Sequence, residues 1–200
     1  NEKIENKYKA ALNYFNFEFM PSDIHELFDL TDAKNRINSI KHLEKITFNL
    51  NTIKISDGLL IQFKLLNEVI IPSSVTSIGK YSFYECSLLK KIVIPSSVTI
   101  IDNFAFYKCT SLSEVLFSSS SSLDTIGWGA FSNCSSLKKI VIPPSVNDFG
   151  GVFNNLYIYK KRYESSLTIY IENDCMGVFS KCSSLVEITI PSSLKSICDY

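Results

Sequence analysis

The chain has 200 residues, 46% of them apolar, and its 20 Lys and Arg balance 20 Asp and Glu to a formal net charge of zero. So much apolar material can build a continuous core for one domain or one repeat array, which argues against disorder. The neutral balance removes the long-range field on which nucleic-acid binders and proteins of anionic membrane surfaces rely, so neither partner class is expected.

The chain opens Asn1-Glu2-Lys3, with no initiator Met and no apolar signal core, and reads as a processed or excised piece. Ile4, Tyr8, Leu12, Phe15 and Phe19 recur at helical spacing up to Pro21, predicting an amphipathic helix over residues 2–19. Asp23 and Glu26 are spaced as a capping box for a short helix with Ile24, Leu27 and Phe28, and Thr31 caps a third with Ile37 and Ile40. Residues 1–42 therefore read as a helical amino-terminal cap over whatever follows. Met20-Pro21-Ser22-Asp23-Ile24 also resembles the opening of an F-box helix, which would imply a ubiquitin-ligase substrate adaptor.

From residue 43 onward the chain repeats itself. Ile94-Pro95-Ser96-Ser97-Val98 copies Ile71-Pro72-Ser73-Ser74-Val75 at an offset of 23. The same offset carries Ile78 to Ile101, Phe83 to Phe106, Cys86 to Cys109, Leu89 to Leu112 and Ile92 to Val115. The next copy, with Ile126, Phe131, Cys134, Leu137 and Ile140, sits at 25, its two extra residues lodged in the run Ser118–Ser122. The longest apolar stretch, Leu59 to Ile71, is broken by Gln62, Lys64, Asn67 and Glu68, so it cannot supply the roughly 20 residues of a spanning helix.

Phe179, Cys182, Leu185, Ile188 and Ile190 follow their counterparts by 48 residues, about two periods. Residues 149–178 are therefore expected to hold a degenerate extra coil with Leu167, Ile169 and Ile171 as its strand, in preference to a protruding insert, because long structureless loops are uncommon in compact domains.

Within a repeat, Leu89-Lys90-Lys91-Ile92-Val93-Ile94-Pro95 alternates inward and outward and ends at a proline that cannot donate to a ladder, which describes a short strand and a turn. A return every 23 residues should stack such strands in parallel, about 4.8 Å apart, as one sheet along the array. Val75 and Ile78 form a shorter piece on the opposite side, and Phe83 with Cys86 marks a helical or 3₁₀ turn. The fold class is thus an α/β repeat solenoid over residues 43–200.

The Ile-Pro-Ser-Ser-Val, Ile-Gly, Phe-x-x-Cys and Ser-Leu-Lys-Lys-Ile elements of residues 71–142 resemble the BspA-type leucine-rich repeat, a family of surface proteins of mucosal bacteria and parasitic protists. The resemblance implies a non-enzymatic scaffold for adhesion to host-cell or matrix proteins, at the cell surface or outside the cell, with no catalytic residue and no cofactor. A cytoplasmic scaffold is the alternative.

Candidate chemistry is sparse. Cys86, Cys109, Cys134 and Cys182 share one repeat position and are expected as a buried, reduced ladder, whereas Cys175 and Cys198 lie off it and leave a bridge open. His25 and His42 stand alone and no Cys-x-x-Cys pair occurs, so neither a zinc site nor a His-dependent relay is expected. The Asn133-Cys134-Ser135 sequon overlaps an inward cysteine and is expected to be unoccupied.

The candidate partner surface comes from the outward strand positions. One row reads Lys45, Glu68, Lys91, Glu114, Lys139 and Glu187, alternating in sign, and should fix the stacking register. The next reads Thr47, Ile70, Val93, Leu116, Val141 and Thr189, four apolar residues where water is expected. Ile70, Val93, Leu116 and Val141, flanked by Lys91 and Glu114, form the candidate protein-binding stripe.

Overall fold

A computed structural model describes residues 43–48, 50–150, 166–169 and 177–191. The expected helical cap, residues 1–42, lies outside them.

The first four coils each lay two strands on opposite sides of a shared core. The longer strands are β1 (Lys45–Thr47), β3 (Glu68–Ile70), β5 (Lys91–Ile94), β7 (Glu114–Phe117), β9 (Lys139–Val141) and β11 (Glu187–Pro191). Opposite them run β2 (Lys54–Ile55), β4 (Ser77–Ile78), β6 (Ile100–Ile101) and β8 (Thr125–Ile126). The short strands form one continuous parallel sheet in the order β2-β4-β6-β8, with Ile55, Ile78, Ile101 and Ile126 in register.

The long side departs from the single sheet expected. Its strands pair in parallel two at a time, β1 with β3, β5 with β7 and β9 with β11, and no ladder joins β3 to β5 or β7 to β9. The pleat is retained throughout, so Ile46, Val69, Ile92, Val115, Ile140 and Ile188 all point inward and are buried.

Equivalent side chains lie directly over one another. The rings of Phe83, Phe106, Phe131 and Phe179 are stacked nearly parallel, with successive centroids 4.9, 5.3 and 5.8 Å apart. Leu66, Leu89, Leu112, Leu137 and Leu185 make a second buried column. Hydroxyls tie coil to coil as well: Thr76 Oγ1 donates to the carbonyl of Ile53, and Thr99 Oγ1 to that of Thr76.

Among the described residues there is no helix, so the repeats themselves are all-β and the 3₁₀ turn expected at Phe83–Cys86 is not formed. Isolated turns stand there instead, such as Tyr84 N–H to Tyr81 C=O and Cys86 N–H to Phe83 C=O. The physical reason is a left-handed backbone at Tyr81 (φ 57°) and Glu85 (φ 59°), repeated at Phe104 and Lys108, because a right-handed helix cannot propagate through such residues. These conformations aim alternate N–H groups along the array, so that Tyr81, Phe83 and Glu85 donate to Asn103, Ala105 and Tyr107 of the next coil.

Among the described residues, no strand of the extra coil that the repeat arithmetic favours lies between β9 and β11. β9 pairs directly with β11, Ile140 opposite Ile188, and Phe131 N–H donates to the carbonyl of Val178. The two copies are therefore adjacent in the long-side sheet. Gly150 stacks on Gly127, and Gly177 is left-handed like Gly129. Leu167 and Ile169 do lie on a strand, β10 (Ser166–Ile169), but it runs antiparallel along the outer edge of β11. Ile171 lies outside the described residues.

Candidate partner-binding face

Because the inward residues of the long strands are fixed by the core, their neighbours must face outward. Ile70, Val93, Leu116 and Val141 are 44%, 51%, 38% and 53% exposed, and Val93 and Leu116 are direct partners across β5 and β7. Thr47 and Thr189 close the row at its two ends, both partly buried. The structure thus brings the four candidate apolar residues together on one face.

The charged row beside them forms ion pairs only within hydrogen-bonded strand pairs. Lys45 Nζ lies 2.6 Å from Glu68, Lys91 Nζ 2.9 Å from Glu114, and Lys139 Nζ 2.7 Å from Glu187. All are solvent-accessible, so each contributes at most about 1 kcal/mol, and their structural effect is to hold register. The row carries no net charge and offers a partner no attraction at long range.

Between β7 and β9, where the ladder is missing, a cleft of about 480 Å³ opens onto the face. Leu116, Phe117, Val141 and Ile142 supply apolar walls, Glu114 and Lys139 stand at one end, and Ser118, Ser119, Pro143 and Pro144 at the other. The two extra residues of the serine run fall at that end. The repeat pattern alone did not point to the cleft; the change of offset from 23 to 25 was its only signal.

A second feature escaped the sequence reading. On the turn side, Tyr81 stacks on Phe104 at 4.9 Å and Tyr84 on Tyr107 at 5.3 Å, with Trp128 edge-on to Phe104 at 4.7 Å. Lys108 lies over the rings of Tyr84 and Tyr107 and donates to Glu85 Oε1 at 3.0 Å. That hydrogen bond holds the Glu85 carboxyl below the usual carboxylate range and raises the Lys108 ammonium above its ordinary value. Equally spaced aromatics at Tyr81 and Phe104, and at Tyr84 and Tyr107, were the available clue.

Cys86, Cys109, Cys134 and Cys182 are buried, each Sγ donating to a carbonyl of the preceding coil: Leu60, Phe83, Phe106 and Phe131. Burial pushes the Cys86 thiol up to about 12, and the Cys109 and Cys134 thiols well above their ordinary value, which disfavours the thiolate at all three. Cys175 and Cys198 lie outside the described residues. Asn133 sits in a left-handed turn (φ 60°), its side-chain amide donating to Ser132 Oγ at 3.1 Å. Among the described residues no three His, Cys, Asp or Glu cluster as metal ligands, and no helix is long and apolar enough to cross a membrane.

Comparison with protein families matches the BspA type leucine rich repeat region, in six copies, over residues 34–160 and 152–200. Among solved structures, the T. pallidum leucine rich repeat protein TpLRR is 31% identical, with a TM-score of 0.50 over 52% of this chain and 50% of that one. A leucine rich cell surface protein from Faecalibacterium prausnitzii is 26% identical (TM-score 0.53, 76% of this chain and 37% of that one). A leucine-rich repeat protein from Bacteroides ovatus is 28% identical (TM-score 0.53, 71% and 36%). The chain therefore spans between about a third and a half of the length of these relatives. No curated protein matches it.

Proposed function

The chain belongs to the BspA-type leucine-rich repeat family, and from that premise we propose that it is a non-enzymatic scaffold that binds protein partners through its long-strand face, in adhesion at the cell surface. The observation that carries the reading is the exposed row Ile70, Val93, Leu116 and Val141 beside a net-neutral charged row. Four neighbouring apolar residues on a rigid platform contribute to binding by leaving water, and the core does not need them there. The surface assignment is supported by the F. prausnitzii relative, described as a cell surface protein.

Replacing Val93 and Leu116 together with Lys tests the reading. Binding to host-cell monolayers and to immobilised matrix glycoproteins should fall at least about tenfold, while the thermal unfolding curve stays within the small change expected of exposed substitutions. Undiminished binding by a folded double variant removes this face from the function.

A further inference from the structure

The outward face is complementary to itself. In coil order its charged row reads Lys45, Glu68, Lys91, Glu114, Lys139, Glu187, so reversal converts every sign into its opposite. Its second row reads Thr47, Ile70, Val93, Leu116, Val141, Thr189, and reversal leaves its polarity unchanged, with Thr at both ends and apolar residues between. The pairing of the six long strands has the same symmetry, although β10 on the outer edge of β11 has no counterpart beside β1 among the described residues. The strands pair as β1-β3, β5-β7 and β9-β11, so both interruptions, β3/β5 and β7/β9, lie equally far from the middle of the β5-β7 pair.

We infer that the partner fitted by this face is a second copy of the chain, related by a twofold axis parallel to the strands between β5 and β7. A rotation about that axis reverses coil order while keeping each row over itself. Lys91 then meets the partner's Glu114, Glu68 the partner's Lys139, and Lys45 the partner's Glu187. Val93 meets the partner's Leu116, Ile70 the partner's Val141, and Thr47 the partner's Thr189. Opposite charges face one another at every position, apolar residues face apolar residues, and the cleft between β7 and β9 lies opposite the partner's Ile70 and Val93. Such an isologous contact closes on itself and does not propagate into a filament.

The contact area sets its strength. Six strands about 4.8 Å apart and three residues long present a face of roughly 30 by 10 Å, well below the roughly 800 Å² per partner of a stable complex. The pair is accordingly weak in dilute solution and becomes effective where many copies are arrayed on a surface. The inference rests on the proposed binding face and names its partner.

The test is sedimentation velocity on the 200-residue chain from about 10 µM to about 1 mM, the range of weak pairs, with Lys91→Glu and Glu114→Lys measured singly and mixed. The native chain should shift reversibly from monomer to dimer. Each single variant should raise the dissociation constant at least about tenfold, because like charges then meet twice at the axis. An equimolar mixture should regain association, since each variant supplies the charge the other lacks. A folding defect inside one chain cannot be cured by mixing, so recovery reports the intermolecular contact. A native chain that stays monomeric throughout, or swapped variants that fail to complement, overturns the inference. If the chain is monomeric while the Val93 and Leu116 variants still lose cell and matrix binding, the face stands and its partner is a different protein. If those variants keep full binding too, both readings fall.

Discussion

Tyr81 and Phe104 hold a left-handed backbone at a position that Gly58, Gly129 and Gly177 occupy in other coils. For a residue with a Cβ that conformation costs roughly 1–2 kcal/mol, and aromatic stacking, at about 0.5–1.5 kcal/mol per pair, offsets much of it. The two aromatics hide a glycine column in the sequence, so the turn geometry was not legible there. Glu85 and Lys108 bind across the same turn, and their titration has a definite sign. Glu85 is depressed in the folded chain, so its contribution is present above the unfolded carboxyl value near 4.3 and is lost as pH falls through the lower folded value. Lys108 is raised, so its share is present below about 10.4 and is lost as pH rises beyond it. Glu85→Gln should therefore lower stability by a constant amount between about pH 5 and pH 9, with the difference from the native chain disappearing in acid. Urea unfolding at several pH values checks this, and a difference that persists unchanged at low pH contradicts it.

The coil was the most legible element. A 23-residue offset fixed the inward positions of both strands, because Ile, Leu, Phe and Cys recur where a shared core requires them. The pairing of those strands was not legible, since ladder hydrogen bonds depend on small changes of spacing that leave the side-chain pattern intact. The strand β10 shows the same limit: alternation at Leu167 and Ile169 announces a strand but not its direction or its neighbour, and β10 runs antiparallel beside β11. Its place there has a reason, since the outer edge of β11 would otherwise present unpaired backbone groups. Coil stability should depend most on the phenylalanine column. Phe106 is enclosed between Phe83 and Phe131, so Phe106→Ala should cost about 3–5 kcal/mol. A loss below about 1 kcal/mol in denaturant unfolding would show that the column is not closely packed.

At the scale of the molecule, the array converts a linear repeat into two surfaces. A core of stacked identical residues forces the intervening positions outward, and on the long side those positions give an apolar stripe beside charges that neutralise each other. The stripe was legible because pleat and period alone determine it; the cleft and the interruptions of the sheet needed coordinates. Both the proposed face and its self-complementarity follow from one claim, that equivalent residues of successive coils lie directly over one another. Aromatic-edited nuclear Overhauser spectroscopy on selectively labelled phenylalanine tests it most directly. The claim predicts cross-peaks from Phe83 to Phe106 and from Phe106 to Phe131, and none from Phe83 to Phe131. Missing neighbour contacts, or a direct contact between Phe83 and Phe131, would contradict it.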